Sequence, residues 1–390
     1  MDLVTRFQRL QLALMEARAL WGPAPFHEPR PAWCAQYPAL AADALALDEA
    51  RLEAFIADPA AAGLWLEAYL PELAGLLALT DLPELPACEL ADAPRGFDWS
   101  IPGAKRQQIE AFARHAPMHG APLLEWCAGK GHLGRRMAMA GHVRVDSLEL
   151  DPQLCEAGAA LAQRHGVTQQ MHAADALAPG ARSLVAGREV VALHACGELH
   201  RRLVRHARED GARAYAIAPC CYYRGADDGY WAMSSEADLA LSAAELRMAV
   251  TETVTAPAGV RRRLARDQAW KLGFKALCAG LGVPARATFR PVPAGWMNER
   301  FEDFSRALAL REALVLPPDV DWAHWERIGE QRRGEVRRLE VVRHAFRRPL
   351  EVWLVLDMAV ALQEQGFDAQ VGRFCERALT PRNLMVLGRA

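Results

Sequence analysis

Apolar residues recur at helical spacing in the first quarter of the chain. Leu3, Phe7 and Leu10 follow one another at intervals of three or four residues, which places their side chains on one face of an α-helix. Runs of alanine and few β-branched residues also favour helix there. Prolines and a glycine near 93–100 indicate a boundary. We therefore expect an N-terminal all-α domain over residues 1–97.

From about residue 100, short apolar runs alternate with helical segments. Such alternation is typical of a parallel α/β sheet. An arginine-rich, mostly helical stretch at about 225–345 interrupts the pattern, which resumes near the C-terminus. The strands are expected at 123–127, 143–150, a short segment ending near Asp175, 190–194, 214–218, 367–374 and 383–387. The second domain is therefore expected to span 98–390, with a mostly helical insertion after strand five.

The composition is that of an ordinary globular protein, with 52% hydrophobic and 24% charged residues. No uncharged apolar run approaches the ~18 residues of a membrane span, so no membrane partner is expected. The N-terminal segment MDLVTRFQRLQLALMEARALW carries charges throughout and has no apolar signal core. Nine cysteines without CxxC spacing indicate reduced thiols. We therefore expect a cytoplasmic protein.

The formal net charge of −2 hides an asymmetry along the chain. Residues 1–100 contain 6 basic and 15 acidic residues, whereas residues 257–350 contain 19 basic and 11 acidic ones. An acidic N-terminal segment followed by a basic segment is consistent with a polyanionic substrate. Alternatively, two helical surfaces of opposite sign dock onto each other. The sequence leaves both interpretations open.

A glycine-rich turn follows strand one. In EWCAGKGHLG at 125–134, Gly129 and Gly131 allow the backbone to approach a ligand and to adopt positive φ. The next helix offers free N–H groups at its start. With Gly134 the spacing also fits G-x-G-x-x-G, which holds the pyrophosphate of a dinucleotide. We therefore expect a nucleoside cofactor, either NAD or S-adenosylmethionine.

Three acidic residues favour S-adenosylmethionine. Glu125 precedes the glycines in E-x-x-x-G-x-G, the first motif of Rossmann-like methyltransferases. Glu149 ends strand two, where a carboxylate binds ribose hydroxyls, and Asp175 lies where an acidic residue usually accepts from the adenine amino group. The alternative is a tight turn with solvated carboxylates. The predicted cofactor-binding residues are Glu125, Cys127, Gly129, Gly131, His132, Glu149, Asp175 and His194.

Five motifs along the chain resemble those of a known family. They are KRQQIE at 105–110, CAGKGHL at 127–133, LHACGEL at 193–199, APCCY at 218–222 and TPRN at 380–383. In this order they resemble the methyltransferase-like family that includes the glutathione S-transferase C-terminal-domain-containing protein. The resemblance implies a class I Rossmann-like methyltransferase fold and S-adenosylmethionine as cofactor. A more distant likeness is to the tRNA 2′-O-methyltransferases with a CHHC zinc finger, which have a histidine where this chain has Tyr222.

The methyl acceptor of such enzymes lies beyond the ends of strands four and five. His194 is there either a general base or a histidine that orients the loop after strand five. Cys220 and Cys221 fill space, bind a metal with His194 and Cys196, or supply a nucleophile to a pyrimidine ring. We favour packing, and we expect no metal because adjacent cysteines suit a tetrahedral site poorly. The predicted catalytic residues are His194, Cys220, Cys221 and Tyr222.

Basic residues near aromatic ones suggest contacts with a substrate. Arg261, Arg262 and Arg263 begin a helix that also carries Trp270, and such a pairing of charge and aromatic surface is typical of RNA contact. The alternative is a solvated helix with Trp270 packed inward. The predicted substrate-binding residues are Lys105, Arg106, Tyr223, Arg261, Arg262, Arg263 and Asn383.

Together these features predict an S-adenosylmethionine-dependent methyltransferase that acts on RNA, with tRNA favoured. Methylation of a small molecule or a protein is the competing enzymatic hypothesis. A catalytically degenerate module that binds S-adenosylmethionine or RNA is the non-enzymatic one. The sequence does not define the methylated atom or the oligomeric state.

Overall fold

The computed structural model describes residues 1–97, 99–116, 119–141, 144–250, 257–283 and 289–390. Its strands form one seven-stranded sheet in the order β3-β2-β1-β4-β5-β7-β6, in which β7 alone runs antiparallel to its neighbours. The strands are β1 (Leu123–Trp126), β2 (Val145–Glu149), β3 (Gln169–Ala173), β4 (Glu189–Leu193), β5 (Ala214–Ala218), β6 (Asp368–Arg373) and β7 (Leu384–Arg389).

Helices accompany the strands and fill the segments between them. They are α1 (Leu3–Glu16), α2 (Arg18–Trp21), α3 (Trp33–Gln36), α4 (Pro38–Ala46), α5 (Glu49–Ala57), α6 (Pro59–Glu67), α7 (Leu76–Thr80), α8 (Gly103–His115), α9 (His132–Met139), α10 (Pro152–Arg164), α11 (Glu198–Arg205), α12 (Ala207–Asp210), α13 (Ala243–Val250), α14 (Ala258–Gly280), α15 (Phe301–Arg311), α16 (Trp322–His344) and α17 (Arg347–Glu364). Among the helices of the described residues, none is both long and apolar enough to cross a membrane.

Continuous apolar runs become the central strands. Leu123 at the start of β1 is paired with Val145 on one side and with Glu189 on the other. Every residue of β1 and β5 is buried, as expected when both faces of a parallel sheet are covered. Ile109 and Phe112 of α8 belong to the core cluster on this sheet. The predicted α/β fold with its parallel strands is confirmed.

Strand ends differ from the predicted ones for a local reason. β1 and β4 each end one residue early because Cys127 and His194 adopt φ of 58° and 69°, which the extended conformation does not allow. β7 continues to Arg389, opposite Ala214 of β5. The predicted first residue of strand two, Val143, lies outside the described residues.

The chain divides into two compact units. The sheet unit comprises Met1–Met15, Gly75–Glu252 and Arg347–Ala390, and the helical unit comprises Glu16–Ala74 and Thr253–Phe346. This division differs from the predicted boundary after residue 97, since the sheet unit includes both ends of the expected N-terminal domain.

Charge complementarity accounts for part of the helical unit. Arg337 of α16 forms ion pairs with Glu49 and Glu53 of α5, and the guanidinium of Arg338 donates to the carbonyl of Leu47 over 2.8 Å. The acidic early segment and the basic later one therefore pack together within this unit. The docking of oppositely charged helices, which the sequence left open, is present in the structure.

Candidate active site

The chain adds strands β1 to β3 in one direction across the sheet and then returns to place β4 on the other side of β1. The switch point of the strand order therefore lies between β1 and β4. Ligands of open α/β sheets bind at such a switch point, beyond the carboxyl ends of the strands. Cys127 and His194 follow these two strands, and both have positive φ. Non-glycine residues in this region store backbone strain, which is concentrated at functional sites. The strand ends therefore mark the candidate active site.

The glycine turn after β1 needs glycine for steric reasons. Gly131, at φ 64°, precedes α9, and a Cβ at this residue would lie 2.4 Å from the side-chain nitrogen of Gln169. Gln169 donates from that nitrogen to the Gly131 carbonyl over 2.9 Å. A side chain at 131 would break this contact. By contrast, a Cβ at Gly129 would meet no atom within 4 Å, so the loop has open space on the side where a cofactor is expected.

Glu125 supports this loop from within the sheet. Its Oε2 accepts a hydrogen bond of 2.8 Å from Ser147, which in turn accepts one of 2.8 Å from Gln169. The carboxyl group is 4% exposed, and burial raises its pKa to about 7, although hydrogen bonds from Ser147 and the Gly134 amide oppose the shift. Glu125 is therefore a positioning residue for the loop.

Two further carboxylates lie at successive strand ends. Glu149 accepts from the amide of Gly129 over 2.8 Å and from the amide of Asp151 over 3.1 Å, which ties β2 to the glycine turn. Asp175 is exposed and accepts from the amide of Leu177 over 2.8 Å. These oxygens and the open side of Gly129 fit a ligand with hydroxyl and amino donors, as a nucleoside has.

His132 and Cys127 complete the predicted cofactor set. His132 is buried at the start of α9, and its Nδ1 lies 2.5 Å from the guanidinium of Arg135. Burial, together with the charges of Arg135 and Lys105, lowers the pKa of His132 to about 4. Burial raises the pKa of Cys127 to about 12, and the charge of Glu149 adds to the shift. Both side chains are therefore neutral at pH 7.

His194 is oriented by a side chain from another element. Its Nε2 lies 2.9 Å from Oε1 of Gln108 on α8, and the amide nitrogen of Gln108 faces the carbonyl of Leu379 at 3.5 Å. Nε2 therefore carries the proton, and Nδ1 is the basic nitrogen. Desolvation and the nearby charge of Lys105 lower the pKa of His194. The geometry gives an exposed, neutral imidazole that can accept a proton at pH 7.

Three cysteines converge beside His194. The sulfurs of Cys196, Cys220 and Cys221 all lie within 4.8 Å of one another, and those of Cys196 and Cys220 are 2.6 Å apart. A hydrogen bond to Cys196, together with burial, raises the pKa of Cys220 above its usual range, and the same hydrogen bond lowers the pKa of Cys196. Burial also raises the pKa of Cys221. The two cysteines predicted to be catalytic thus hold their protons more firmly than a free thiol.

Tyr222 and Asn383 are less accessible than expected. Tyr222 is 1% exposed, and its ring stands edge-on to His200, so it presents no face on which an acceptor could stack. Asn383 is 3% exposed and donates to the carbonyl of Cys375 over 2.9 Å, so it shapes a turn rather than the site surface. Tyr223 is half-buried beneath the guanidinium of Arg247.

The predicted cationic residues fall into two sets. Lys105 and Arg106 are exposed at the start of α8 in the sheet unit, and Lys105 is close enough to His132 and His194 to affect both. Arg106 also lines a recess of about 650 Å³ between α8 and the end of β6. In the helical unit, Arg261, Arg262 and Arg263 are exposed on α14, whereas Trp270 is buried in a core cluster. Trp270 therefore packs inward, as the alternative reading of this helix predicted.

Sequence reasoning missed three residues that hold the site together. Gln108 orients His194, Gln169 supports the glycine turn, and Arg201 is buried where it donates to carbonyls of the turn after β5. Gln108 lies within the KRQQIE motif, which was the one available signal. The support that the other two give to the turns goes to backbone carbonyls, which leave no pattern in the side-chain sequence.

Comparisons with known proteins agree with this geometry. Residues 105–226 match the family model described as "Methyltransferase domain". No curated protein matches the chain.

Several solved structures are similar to the chain at low identity. An O-methyltransferase family protein from Burkholderia thailandensis is 12% identical, with 85% of this chain and 71% of that chain covered and a TM-score of 0.32. Cofactor-bound Rv0187 from MTB is 21% identical, with 50% and 84% covered and a TM-score of 0.27.

The tRNA (uracil-54, C5)-methyltransferase of Pyrococcus abyssi, in complex with S-adenosyl-L-homocysteine, is 17% identical, with 29% of this chain and 28% of that chain covered and a TM-score of 0.24. The chain thus spans little more than a quarter of that enzyme, and likenesses at these scores carry no argument about substrate. The family match rests on the same segment that contains the glycine turn, the carboxylates at the strand ends and His194. Residues 105–226 thus match a methyltransferase domain.

Proposed function

We propose that the protein methylates RNA, with tRNA as the favoured substrate. The observation that carries this proposal is the positive charge at the site. Lys105 is exposed and acts electrostatically on His132 and His194 at the carboxyl edge of the sheet. A cation beside the acceptor position attracts a polyanion and holds its phosphates. The preference for tRNA rests on the distant sequence resemblance to tRNA 2′-O-methyltransferases.

The exposed arginines of α14 are a second support for an RNA substrate. Arg261, Arg262 and Arg263 stand in sequence on the first turns of the helix with their side chains in solvent. Further along the helix the basic residues are used internally, since Lys271 pairs with Asp267 over 2.7 Å. The three arginines thus carry solvent-exposed positive charge that an RNA backbone would contact.

The cofactor would be held at the ends of β1, β2 and β3. In this proposal Glu149 binds the ribose hydroxyls, Asp175 binds the adenine amino group, and the glycine turn lies against the remainder. S-Adenosylmethionine supplies an electrophilic methyl group on a sulfonium. The part of the chain is to bring an acceptor into line and to remove its proton, which accounts for much of the rate gain in such transfers.

His194 is the proposed base. Its Nδ1 is kept free of the proton because Nε2–H donates to Gln108, and its pKa is lowered. An acceptor hydroxyl or amino group placed beside Nδ1 could pass its proton to the imidazole as the methyl group is transferred. The free state of all nine cysteines agrees with the proposed cytoplasmic location.

The test uses radiolabelled S-adenosylmethionine and total RNA from cells that lack the gene. Purified protein should transfer label to acid-precipitable material of tRNA size that ribonuclease destroys and protease does not. The Glu149→Ala variant serves as the control with weakened cofactor binding. Label that protease removes would indicate a protein substrate, and label that stays acid-soluble would indicate a small molecule. Cofactor binding without any transfer would indicate a scaffold.

Salt dependence tests the role of the arginines. RNA affinity should fall steeply as salt rises, and changing Arg261, Arg262 and Arg263 to Gln should flatten that slope by about 0.7 per lost phosphate contact. The affinity for S-adenosylhomocysteine should not change. Wild-type protein that binds no RNA at low salt would contradict the proposal.

A further inference from the structure

Three thiols meet at the carboxyl ends of β4 and β5. Cys196 follows β4, and Cys220 and Cys221 follow β5. Their sulfurs lie within 4.8 Å of one another, although Cys196 and Cys220 are separated by 24 positions along the chain. Cys220 is 7% exposed, and the other two are half-buried. The three thiols thus form a cluster that is largely shielded from solvent.

The separations suit a tetrahedral metal ion. Zinc binds thiolate sulfur at about 2.3 Å, so two sulfurs on the same ion lie about 3.8 Å apart. The three sulfurs lie within 4.8 Å of one another. The pair at 2.6 Å, Cys196 and Cys220, would need to separate by roughly 1 Å. In the turn after β5, the amide of Tyr222 donates to the Cys220 carbonyl over 3.1 Å, and the sulfurs of both adjacent cysteines lie within 4.8 Å of that of Cys196.

The two turns that carry these thiols are fixed by other residues. Arg201 is 1% exposed and donates to the carbonyls of Tyr222, Arg224 and Gly225 at 3.0–3.2 Å. Gly197 follows Cys196, and a Cβ there would lie 1.9 Å from the Arg224 carbonyl, so the two backbones touch at that point. The thiols are therefore held together by a frame that does not depend on the thiols themselves, which is how a metal site is pre-organised.

We propose that Cys196, Cys220 and Cys221 bind one zinc ion as thiolates and leave its fourth position open. Soft thiolate ligands select zinc over magnesium or calcium. Three protein ligands with one open position are the arrangement of sites at which zinc binds water or a substrate atom. Within the described part of the chain, His194 does not belong to this group of converging ligand atoms. The three cysteines lie at the same edge of the sheet as the glycine turn, since all of them follow the carboxyl ends of parallel strands.

Metal analysis of the purified full chain, after removal of any affinity tag, tests the site. Protein dialysed against zinc under reducing conditions and then freed of excess metal should retain about one zinc per chain. Cys196→Ser and Cys221→Ser should each retain less than a tenth of that amount. Cys88→Ser is the matched control, since Cys88 is exposed and bonded to the Arg114 carbonyl away from the cluster, and it should retain the full amount.

Cobalt provides a second measurement that needs no variant. Wild-type protein loaded with Co²⁺ should show thiolate charge-transfer absorption in the near ultraviolet and the strong visible bands of tetrahedral cobalt. Calorimetry with S-adenosylhomocysteine verifies that each variant is folded. Wild-type protein that retains less than a tenth of an equivalent of zinc and gives no cobalt–thiolate band would overturn the proposal. Equal zinc in wild-type protein and both cluster variants would do so as well.

Discussion

Gln108 Oε1 lies 2.9 Å from Nε2 of His194, although the two residues are 86 positions apart in the chain. Gln108 comes from α8, which precedes the sheet, and His194 follows β4. The amide accepts the imidazole proton and thereby selects the tautomer whose basic nitrogen is Nδ1. Since α8 opens the segment matched as a methyltransferase domain, this contact joins the start of that segment to its candidate base.

Substitution of Gln108 should alter the pH dependence of methyl transfer. Gln108→Ala should lower kcat about 10- to 100-fold, because an unoriented base loses part of the usual gain from general base catalysis. Gln108→Glu should move the acid limb of the kcat profile to higher pH, because a carboxylate raises the pKa of His194. Steady-state rates over a range of pH measure both effects.

Gln107→Ala is the matched control for Gln108, because Gln107 is exposed and lines the recess on another side of α8. Its pH profile should be that of the wild type. If Gln108→Glu left the acid limb unmoved, His194 would not be the group that titrates in the reaction.

Cofactor affinity should depend more on Glu149 than on Asp175. Asp175→Ala should weaken S-adenosylhomocysteine binding by about 1–3 kcal/mol, or five- to 150-fold, the usual effect of a lost hydrogen bond. Glu149→Ala should weaken it further, because Glu149 also holds the amide of Gly129. Isothermal calorimetry measures both, with the exposed Glu156→Ala on α10 as control. Unchanged affinity in Asp175→Ala would remove this residue from the cofactor site.

The free energy of unfolding should depend on pH through the ionisation of Glu125. Its pKa is raised from 4.5 to about 7, so the folded state binds more protons than the unfolded state between these values, and the free energy of unfolding falls as pH rises through this window. The difference corresponds to about 3 kcal/mol. The pKa of His132 is lowered to about 4, so its contribution to the pH dependence has the opposite sign. It increases the free energy of unfolding as pH rises from about 4 towards 6.5.

Comparison with Glu125→Gln isolates that contribution. The variant has no ionisable group at 125, so its free energy of unfolding, relative to wild type, should rise between pH 5 and pH 8. Urea denaturation at several pH values measures this relative change. A constant difference across the range would show that Glu125 does not titrate within this window.

The sequence was sufficient for the sheet but not for the contacts between distant segments. Strands buried on both faces are continuous apolar runs, and the turn around Gly131 has a recognisable spacing, so both could be predicted. The pairing of Gln108 with His194 depends on where α8 packs, and the meeting of Cys196 with Cys220 depends on which strands are neighbours. The grouping of acidic and basic helices in one unit also needed the fold, because opposite charge is equally consistent with an external polyanion.

Tyr222 gives a test that separates a chemical role from a packing role. Its hydroxyl is buried and has no hydrogen-bond partner among the described residues, and burial raises the pKa of Tyr222 well above its usual range. A buried hydroxyl without a partner costs about 1–3 kcal/mol, so Tyr222→Phe should leave stability unchanged or raise it by about 1 kcal/mol, with wild-type methyl transfer. Tyr222→Ala should lower stability by about 3–5 kcal/mol, because it leaves a cavity beside His200. Thermal unfolding and the labelled-cofactor assay measure the two effects. If Tyr222→Phe kept its stability but lost activity, the hydroxyl would act on the acceptor in a state of the site that differs from this one.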